Sequence, residues 1–153
     1  MIAALGFVIS LLMIVVANHH GGSVGRGVAS AWTGLLLLVI VVMILRQIFA
    51  AQMVTVQSIY GAISTYLIIG LMFSAFYSAI YYLNGEQFFA NHQVGSTSNF
   101  QYFSFTTLTT LGYGDFTAAG SGGRAVAMLE AMTGQIFLAT LVAKLVATFR
   151  PAR

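Results

Sequence analysis

Ten consecutive residues, TTLTTLGYGD at positions 106–115, are the part of this chain whose residue types best suit a chemical task. Threonines lead into two glycines, Gly112 and Gly114, that are separated by a single tyrosine. Glycine reaches backbone conformations that other residues avoid, so neighbouring carbonyl oxygens can turn to the same side. Such a row of oxygens can replace the water shell of a dehydrated cation. The pattern therefore predicts cation coordination by the main-chain oxygens of residues 110–113, with the Thr110 hydroxyl as a further ligand.

This segment lies between long apolar stretches that could position it in a membrane. A helix needs about 20 apolar residues to cross the hydrocarbon core. Four stretches approach that length: residues 2–17, about 31–50, about 59–83 and about 124–148. The first could instead be a signal peptide with a small-residue cleavage site, although no lysine or arginine precedes it. The sequence thus predicts four transmembrane helices, with the threonine–glycine segment between the third and the fourth.

The overall composition agrees with a membrane protein. Of the 153 residues, 59% are hydrophobic and 6% are charged, whereas soluble domains carry roughly 25% charged residues. The net charge of +3 comes from few groups in loops and does not indicate nucleic-acid binding. The chain has no cysteine, which excludes disulfides and thiolate metal sites. Because no cluster of nucleophile, base or metal ligands occurs, we expect neither an enzyme nor a cofactor.

A short helix is predicted immediately before the glycines. After a polar stretch at residues 84–98, residues 99–109 would form a helix of about 16 Å, half the thickness of a membrane. Ser98 and Gln101 have the spacing of a capping box, which indicates a helix start there. We expect a re-entrant helix, the alternative being a helix on the membrane surface. Its carboxyl end, near residues 107–109, would direct partial negative charge at the membrane centre and favour a cation.

One strand of carbonyl oxygens cannot surround an ion, but four strands around an axis can. The single copy of the segment in this chain therefore predicts a homotetramer with closed cyclic symmetry. In that arrangement Leu111 and Tyr113 would direct their side chains outward, wedging the strand against the short helix. The expected partners are then a dehydrated cation, the lipid bilayer and further copies of the chain.

The sequence TLGYGD at residues 110–115 closely resembles the selectivity-filter signature of the tetrameric potassium-channel superfamily. The resemblance extends over about residues 59–149. It implies a pore domain at residues 58–150 of the bacterial two-transmembrane type, preceded by two peripheral transmembrane helices at residues 1–57. The implied fold is an all-α membrane protein with four transmembrane helices, a re-entrant pore helix and a selectivity-filter loop, assembled as a tetramer.

The activity that this resemblance implies is passive, potassium-selective ion transport. Two alternatives stay open: a poorly selective monovalent cation channel, and a non-conducting membrane subunit that modulates another channel. In the potassium-channel interpretation, K⁺ binds at Thr110, Leu111, Gly112 and Tyr113, and Gly114 completes the filter. Leu111 stands where the commonest signature has valine, but its backbone carbonyl is the same.

The resemblance also implies supporting and gating roles. Those residues are Asp115 behind the outer mouth, Tyr102 and Phe103 in an aromatic cuff, Thr106 where some members carry an acid, Gly134 at the bend of the inner helix, and Leu138, Val142 and Val146 along the inner pathway. Because Thr106 is not an acid, Asp115 needs another partner, for which Tyr102 is the candidate. Gly134 could instead serve close helix packing.

Glu130 is the one acid within a predicted span, and intramembrane carboxylates are costly and often functional. We expect it to hydrogen-bond hydroxyl groups of the short helix such as those of Thr106 or Thr107, with proton sensing as the alternative. Lys144 is expected to reach the membrane interface or to line the inner mouth.

Basic residues predict the orientation of the chain. With the threonine–glycine segment outside, four basic residues lie inside and two outside, which is a mild bias in the expected direction. The inner ones are Arg46, Lys144, Arg150 and Arg153, and the outer ones are Arg26 and Arg124. We therefore expect a multi-pass protein of the cell membrane with a cytoplasmic C-terminus. No span carries regularly spaced arginines, so no voltage sensor is expected.

Overall fold

The computed structural model describes residue 9 and residues 22–50, 56–85 and 87–148. These parts form four helices, joined by loops and one isolated antiparallel bridge. The helices are α1 (Ser23–Ala50), α2 (Val56–Asn84), α3 (Thr97–Leu108) and α4 (Ser121–Thr148). Stretches of α1, α2 and α4 are long and apolar enough to cross a membrane. The second to fourth predicted spans are thereby confirmed as helices, whereas the first, residues 2–17, lies outside the described residues apart from Ile9.

Helix α1 begins earlier than the sequence predicted, at Ser23 instead of about residue 31. The residues assigned to a loop pack closely against α2, because a side chain at Gly27 would collide with Leu83. One turn further, the Ser30 and Ser78 hydroxyl oxygens lie 3.2 Å apart. Glycine costs a helix about 1 kcal/mol relative to alanine, and close packing between small residues offsets that cost.

Helix α2 is the centre of the fold, since α1, α3 and α4 all pack against it. Toward its C-terminal end an aromatic cluster joins α2, α3 and the loop between them. The rings belong to Tyr77, Phe88, Phe89, Phe100 and Phe103. The sequence stretch at residues 84–98 was predicted only as polar, yet the Phe88 and Phe89 side chains are buried within it. The loop is thus fixed to the helices by its two phenylalanines.

The short helix α3 starts at Thr97, two residues before the start that the sequence predicted. Its N-cap is Ser96, whose hydroxyl accepts a hydrogen bond from the backbone N–H of Asn99 at 3.2 Å. The capping box at Ser98 is therefore wrong, because Ser98 already lies inside the first turn. Ser96 has the extended backbone that an N-cap requires. The helix ends at Leu108 with Thr109 as its C-cap, directly before Thr110.

Candidate functional site

Residues 110–114, which we name the carbonyl segment, are tied to the end of α3 by their backbone N–H groups. Three successive N–H groups donate to carbonyl oxygens of the last α3 turn. These bonds are Thr110 to Thr107 at 2.9 Å, Leu111 to Thr106 at 2.8 Å and Gly112 to Thr106 at 3.1 Å. They satisfy acceptors that a helix end leaves without intrahelical partners. Thr106 thus supports the segment through its backbone oxygen.

The backbone of the carbonyl segment alternates in handedness. Thr110, Gly112 and Gly114 have φ of 58°, 48° and 82°, whereas Leu111 and Tyr113 between them do not have positive φ. Alternating left- and right-handed residues turn successive N–H groups to one side of the chain. The carbonyl oxygens are consequently presented on the other side, away from α3. Within the described residues, none of the five carbonyl oxygens accepts a hydrogen bond.

Thr110 holds an unusual conformation for a residue with a side chain. A left-handed backbone costs such a residue about 1–2 kcal/mol, and strain of this kind concentrates at functional sites. Its hydroxyl donates to the Thr109 carbonyl oxygen at 2.7 Å. Gln135 of α4 contacts the same hydroxyl through its side-chain amide at 3.5 Å. The first residue of the segment therefore has a polar contact with α4 that the sequence did not predict.

Asp115 follows the segment and has the partner that the sequence predicted. The Tyr102 hydroxyl donates to the Asp115 carboxylate at 2.8 Å, and the Tyr102 ring packs edge-on against Phe116. The hydrogen bond to Asp115 raises the pKa of Tyr102, and partial desolvation and the carboxylate charge act in the same direction. Phe103, the neighbouring aromatic residue of α3, packs instead on Tyr77 of α2. The Tyr102 and Phe103 side chains thus lie on different faces of α3.

The loop before α3 is bonded to the chain that leaves the carbonyl segment. An antiparallel bridge pairs Phe89 with Ala118. Further bonds run from Ala90 N to Thr117 O at 2.8 Å, from Ala119 N to Phe88 O at 2.8 Å, from Gln93 Nε2 to Asp115 O at 2.7 Å and from Arg124 Nε to Ala118 O at 3.0 Å. Sequence reasoning missed this brace, for which the adjacent phenylalanines in a polar stretch were the available signal. The segment is therefore held at both of its ends.

Glu130 of α4 is fully buried and meets hydroxyl groups of two other helices. The Tyr77 hydroxyl donates to its Oε2 at 2.5 Å, and the Ser104 hydroxyl lies 2.5 Å from its Oε1. The predicted partners Thr106 and Thr107 are thus wrong, although the short helix was correct. The Thr106 hydroxyl bonds its own helix at the Phe103 carbonyl, because Ser104 occupies the face of α3 that meets α4.

One turn further along α4, Gly134 lies against the last turn of α3. A Cβ atom at this position would collide with the Leu108 carbonyl oxygen. Close packing therefore requires glycine here, and α4 runs as a continuous helix through it. The hinge role of Gly134 stays a prediction. Along the same helix, an exposed apolar row continues toward the C-terminal end, formed by Leu138, Val142 and Val146.

Comparison with known families assigns the chain to a class. Residues 68–150, more than half of the chain, match the family described as ion channel. The chain therefore belongs to this ion channel family. Neither a curated protein nor a solved structure matches the chain significantly. The matched residues include most of α2, all of α3, the carbonyl segment and α4.

Family and fold together define a membrane-spanning ion channel protein. Three helices of the described residues have the length and composition to cross a bilayer. The family conducts ions passively and is not a family of enzymes. The expectation of a non-enzymatic membrane protein is confirmed at this level.

Proposed function

We propose that the chain is one subunit of a homotetrameric, potassium-selective channel. In this proposal the carbonyl oxygens of Thr110, Leu111, Gly112 and Tyr113 from four copies replace the water around K⁺, and Gly114 completes the filter. The observation that carries the proposal is the backbone of the carbonyl segment. Its N–H groups at residues 110–112 are bonded to α3, and its alternating handedness directs the oxygens the other way.

The ends of α3 and of the segment support a cation over an anion. The last carbonyls of a helix carry partial negative charge, and α3 ends where the segment begins. At the outer end, the Asp115 carboxylate is held by Tyr102. Four copies of these groups around one axis would produce a negative field without a charged side chain inside the conduction path.

Exposed side chains in the single chain support an assembly of several copies. Leu111 and Tyr113 are 55% and 69% exposed, although both belong to the braced segment. Helix α4 has just 11% of its most apolar stretch buried. In a tetramer, neighbouring subunits would cover these side chains, while Leu138, Val142 and Val146 would line the inner pathway. The same proposal places the channel in the cell membrane with a cytoplasmic C-terminus.

The test is K⁺ and Na⁺ flux through purified protein in liposomes, with Gly112→Ala and Gly122→Ala as a matched pair. Neither glycine has an atom within 4 Å of an added Cβ, but only Gly112 has positive φ. We expect the wild type to pass K⁺ far better than Na⁺. Strain of about 1–2 kcal/mol at Gly112 should reduce K⁺ flux by about tenfold or more, and Gly122→Ala should leave it unchanged.

Other outcomes identify the alternatives. Equal passage of Na⁺ and K⁺ would favour a poorly selective cation channel on the same scaffold. Absence of flux in well-assembled protein would favour a non-conducting modulatory subunit. A particle without fourfold stoichiometry would contradict the proposal, because fewer carbonyl rows cannot enclose the ion.

A further inference from the structure

Glu130 lies at the point where three helices meet, and every polar atom there has a defined neighbour. Its two carboxyl oxygens contact Tyr77 of α2 and Ser104 of α3, each at 2.5 Å. The Ser104 hydroxyl also lies 2.6 Å from the Gly70 carbonyl oxygen of α2. Glu130, Ser104 and Tyr77 are all fully buried. The four groups form one chain of hydrogen bonds across the helix interface.

Counting hydrogens along this chain determines which groups donate. A serine hydroxyl has one hydrogen, and a backbone carbonyl oxygen only accepts. If Ser104 donates to Gly70, the contact between Ser104 and Glu130 needs a hydrogen from the carboxyl group. If Ser104 donates to Glu130, its oxygen meets the Gly70 oxygen at 2.6 Å with no hydrogen between them. Only a protonated Glu130 gives each contact one hydrogen.

The surroundings of Glu130 offer nothing to balance a negative charge. Its titratable neighbours are Tyr77 and Tyr66, both on α2. Ser104 of α3 is uncharged, and within the described residues no lysine, arginine or histidine pairs with the carboxyl group. An unpaired charge away from water is very costly, and more so at membrane depth. The cost of an unpaired buried charge and the hydrogen count therefore both indicate that the Glu130 carboxyl group is neutral.

The residues of this hydrogen-bond chain lie close to the residues that hold the carbonyl segment. Two residues after Ser104, Thr106 holds the N–H groups of Leu111 and Gly112. One turn along both helices, Gly134 packs on Leu108. The position of α4 against α3 is thus set at two successive turns, directly beside the residues that hold the segment.

We propose that Glu130 acts as a neutral carboxylic acid and as a positioning residue for the carbonyl segment. Tyr77 donates to one carboxyl oxygen, the protonated oxygen donates to Ser104, and Ser104 donates to Gly70. This chain joins α2, α3 and α4, so its proton is a structural component of the channel. Deprotonation removes the hydrogen between Glu130 and Ser104, adds an uncompensated charge and loosens α3 from α4.

Infrared spectroscopy of the assembled protein in lipid tests the protonation directly. The chain contains three acidic residues, Glu86, Asp115 and Glu130, so few carboxyl groups contribute to the spectrum. At neutral pH we expect the carbonyl band of a protonated carboxylic acid in the wild type and in Glu86→Gln, and none in Glu130→Gln. In Glu86→Gln protein, carbon-13 labelling of glutamate should shift this band, because Glu130 is then the only glutamate. Absence of the band in wild type, or its persistence in Glu130→Gln, would overturn the proposal.

The positioning role is tested by flux, and this part alone rests on the proposed function. Glutamine can accept from Tyr77 and donate to Ser104, so Glu130→Gln should keep K⁺ flux within about twofold of wild type. Alanine leaves the buried Tyr77 hydroxyl without an acceptor and removes the group that joins α4 to Ser104, so Glu130→Ala should lower flux by about tenfold. On raising the pH, wild-type flux should fall together with the infrared band, whereas Glu130→Gln should stay constant.

The two readouts separate the possible failures. A protonated band with no K⁺ flux in any variant contradicts the channel proposal and leaves the neutral form of Glu130 standing. Full flux in Glu130→Ala contradicts the positioning role. Equal damage in Glu130→Gln and Glu130→Ala would mean that the channel needs the charge, and that result would overturn the proposal.

Discussion

At the scale of single residues, the two ends of the carbonyl segment are held with different strength. Gln135 reaches the Thr110 hydroxyl at 3.5 Å, a long and weak contact. The Tyr102 hydroxyl lies 2.8 Å from an Asp115 carboxyl oxygen, which is a normal distance for an O–H···O hydrogen bond. The end at Asp115 therefore offers the sharper test of a single side-chain atom.

We predict that Tyr102→Phe lowers the K⁺ over Na⁺ preference. The substitution removes the hydroxyl that holds Asp115 but keeps the ring that packs on Phe116. Loss of one exposed hydrogen bond should reduce the permeability ratio by about threefold. Reversal potentials in mixed K⁺ and Na⁺ measure this ratio. Tyr60→Phe is the control, because Tyr60 is an exposed residue of α2.

The pH dependence of this effect follows from the raised pKa of Tyr102. A tyrosine with a raised pKa in the folded state keeps its hydrogen at every pH below its ordinary value of about 10. The contribution of the bond is therefore fully present below that pH and is lost as the pH rises through the raised pKa. The difference between wild type and Tyr102→Phe should be constant from neutral pH up to about 10. A difference that vanishes well below that pH would contradict the assignment.

The residues of the candidate site differ in how far the sequence could specify them. The sequence singled out Thr110, Gly112 and Gly114 by their residue types and spacing, and all three have positive φ in the structure. The contact between Tyr102 and Asp115 followed by elimination. The partners of Glu130 could not be predicted in this way, because Ser104 and Tyr77 lie on other helices. The side of each helix that faces Glu130 is set by packing.

At the scale of elements, the contact between α3 and α4 depends on Gly134. We predict that Gly134→Ala lowers the stability of the assembled protein by about 1–3 kcal/mol, as overpacking does in other cores. The new Cβ would collide with the Leu108 carbonyl oxygen, a backbone atom that cannot move without shifting the end of α3. Chemical denaturation of the protein in detergent measures the change.

Gly122→Ala is the control in the same helix, because its Cβ would meet nothing within 4 Å. The measurement also separates two roles of Gly134. Close packing predicts lower stability, whereas a hinge predicts altered opening with unchanged stability. Wild-type stability in Gly134→Ala would therefore exclude the packing role.

The helices show what sequence patterns determine and where packing overrides them. The lengths of the apolar stretches predicted α1, α2 and α4, because a helix needs about 20 apolar residues to cross the hydrocarbon core. The start of α1 was missed because glycines that suggest a loop instead allow close contact with Leu83. The burial of Phe88 and Phe89 was missed for a related reason. Their neighbours in the sequence are polar, and the sequence does not show that both rings pack against Phe100.

At the scale of the whole molecule, Lys144 connects two helices whose backbones do not approach each other closely. Its ammonium group donates to the Ile48 carbonyl oxygen of α1. Ile48 lies in the last turn of α1, where helix carbonyls carry partial negative charge that favours a cation. Within the described residues, no backbone contact joins α1 to α4. The lysine side chain therefore links α1 to the C-terminal half of α4.

Helix periodicity determines on which side of α4 the Lys144 side chain lies. Lys144 is two residues from both Val142 and Val146, which places it about 200° around α4 from either of them. The ammonium group thus holds α4 from the side opposite to its exposed apolar row. In the proposed tetramer that row faces the axis, so the bond to α1 holds the four inner helices apart.

We predict that Lys144→Met lowers K⁺ flux by about fivefold, since hydrogen bonds to charged groups are stronger than neutral ones but partial exposure weakens this one. The released ends of α4 would approach each other through their apolar rows. The K⁺ over Na⁺ preference should not change, because the carbonyl segment contacts α4 at Gln135, more than two turns away from Lys144. Flux and reversal potential in the same liposomes measure both quantities, and Arg46→Met controls for the loss of a positive charge. Flux equal in Lys144→Met and Arg46→Met would show that α1 does not act on the inner end of α4.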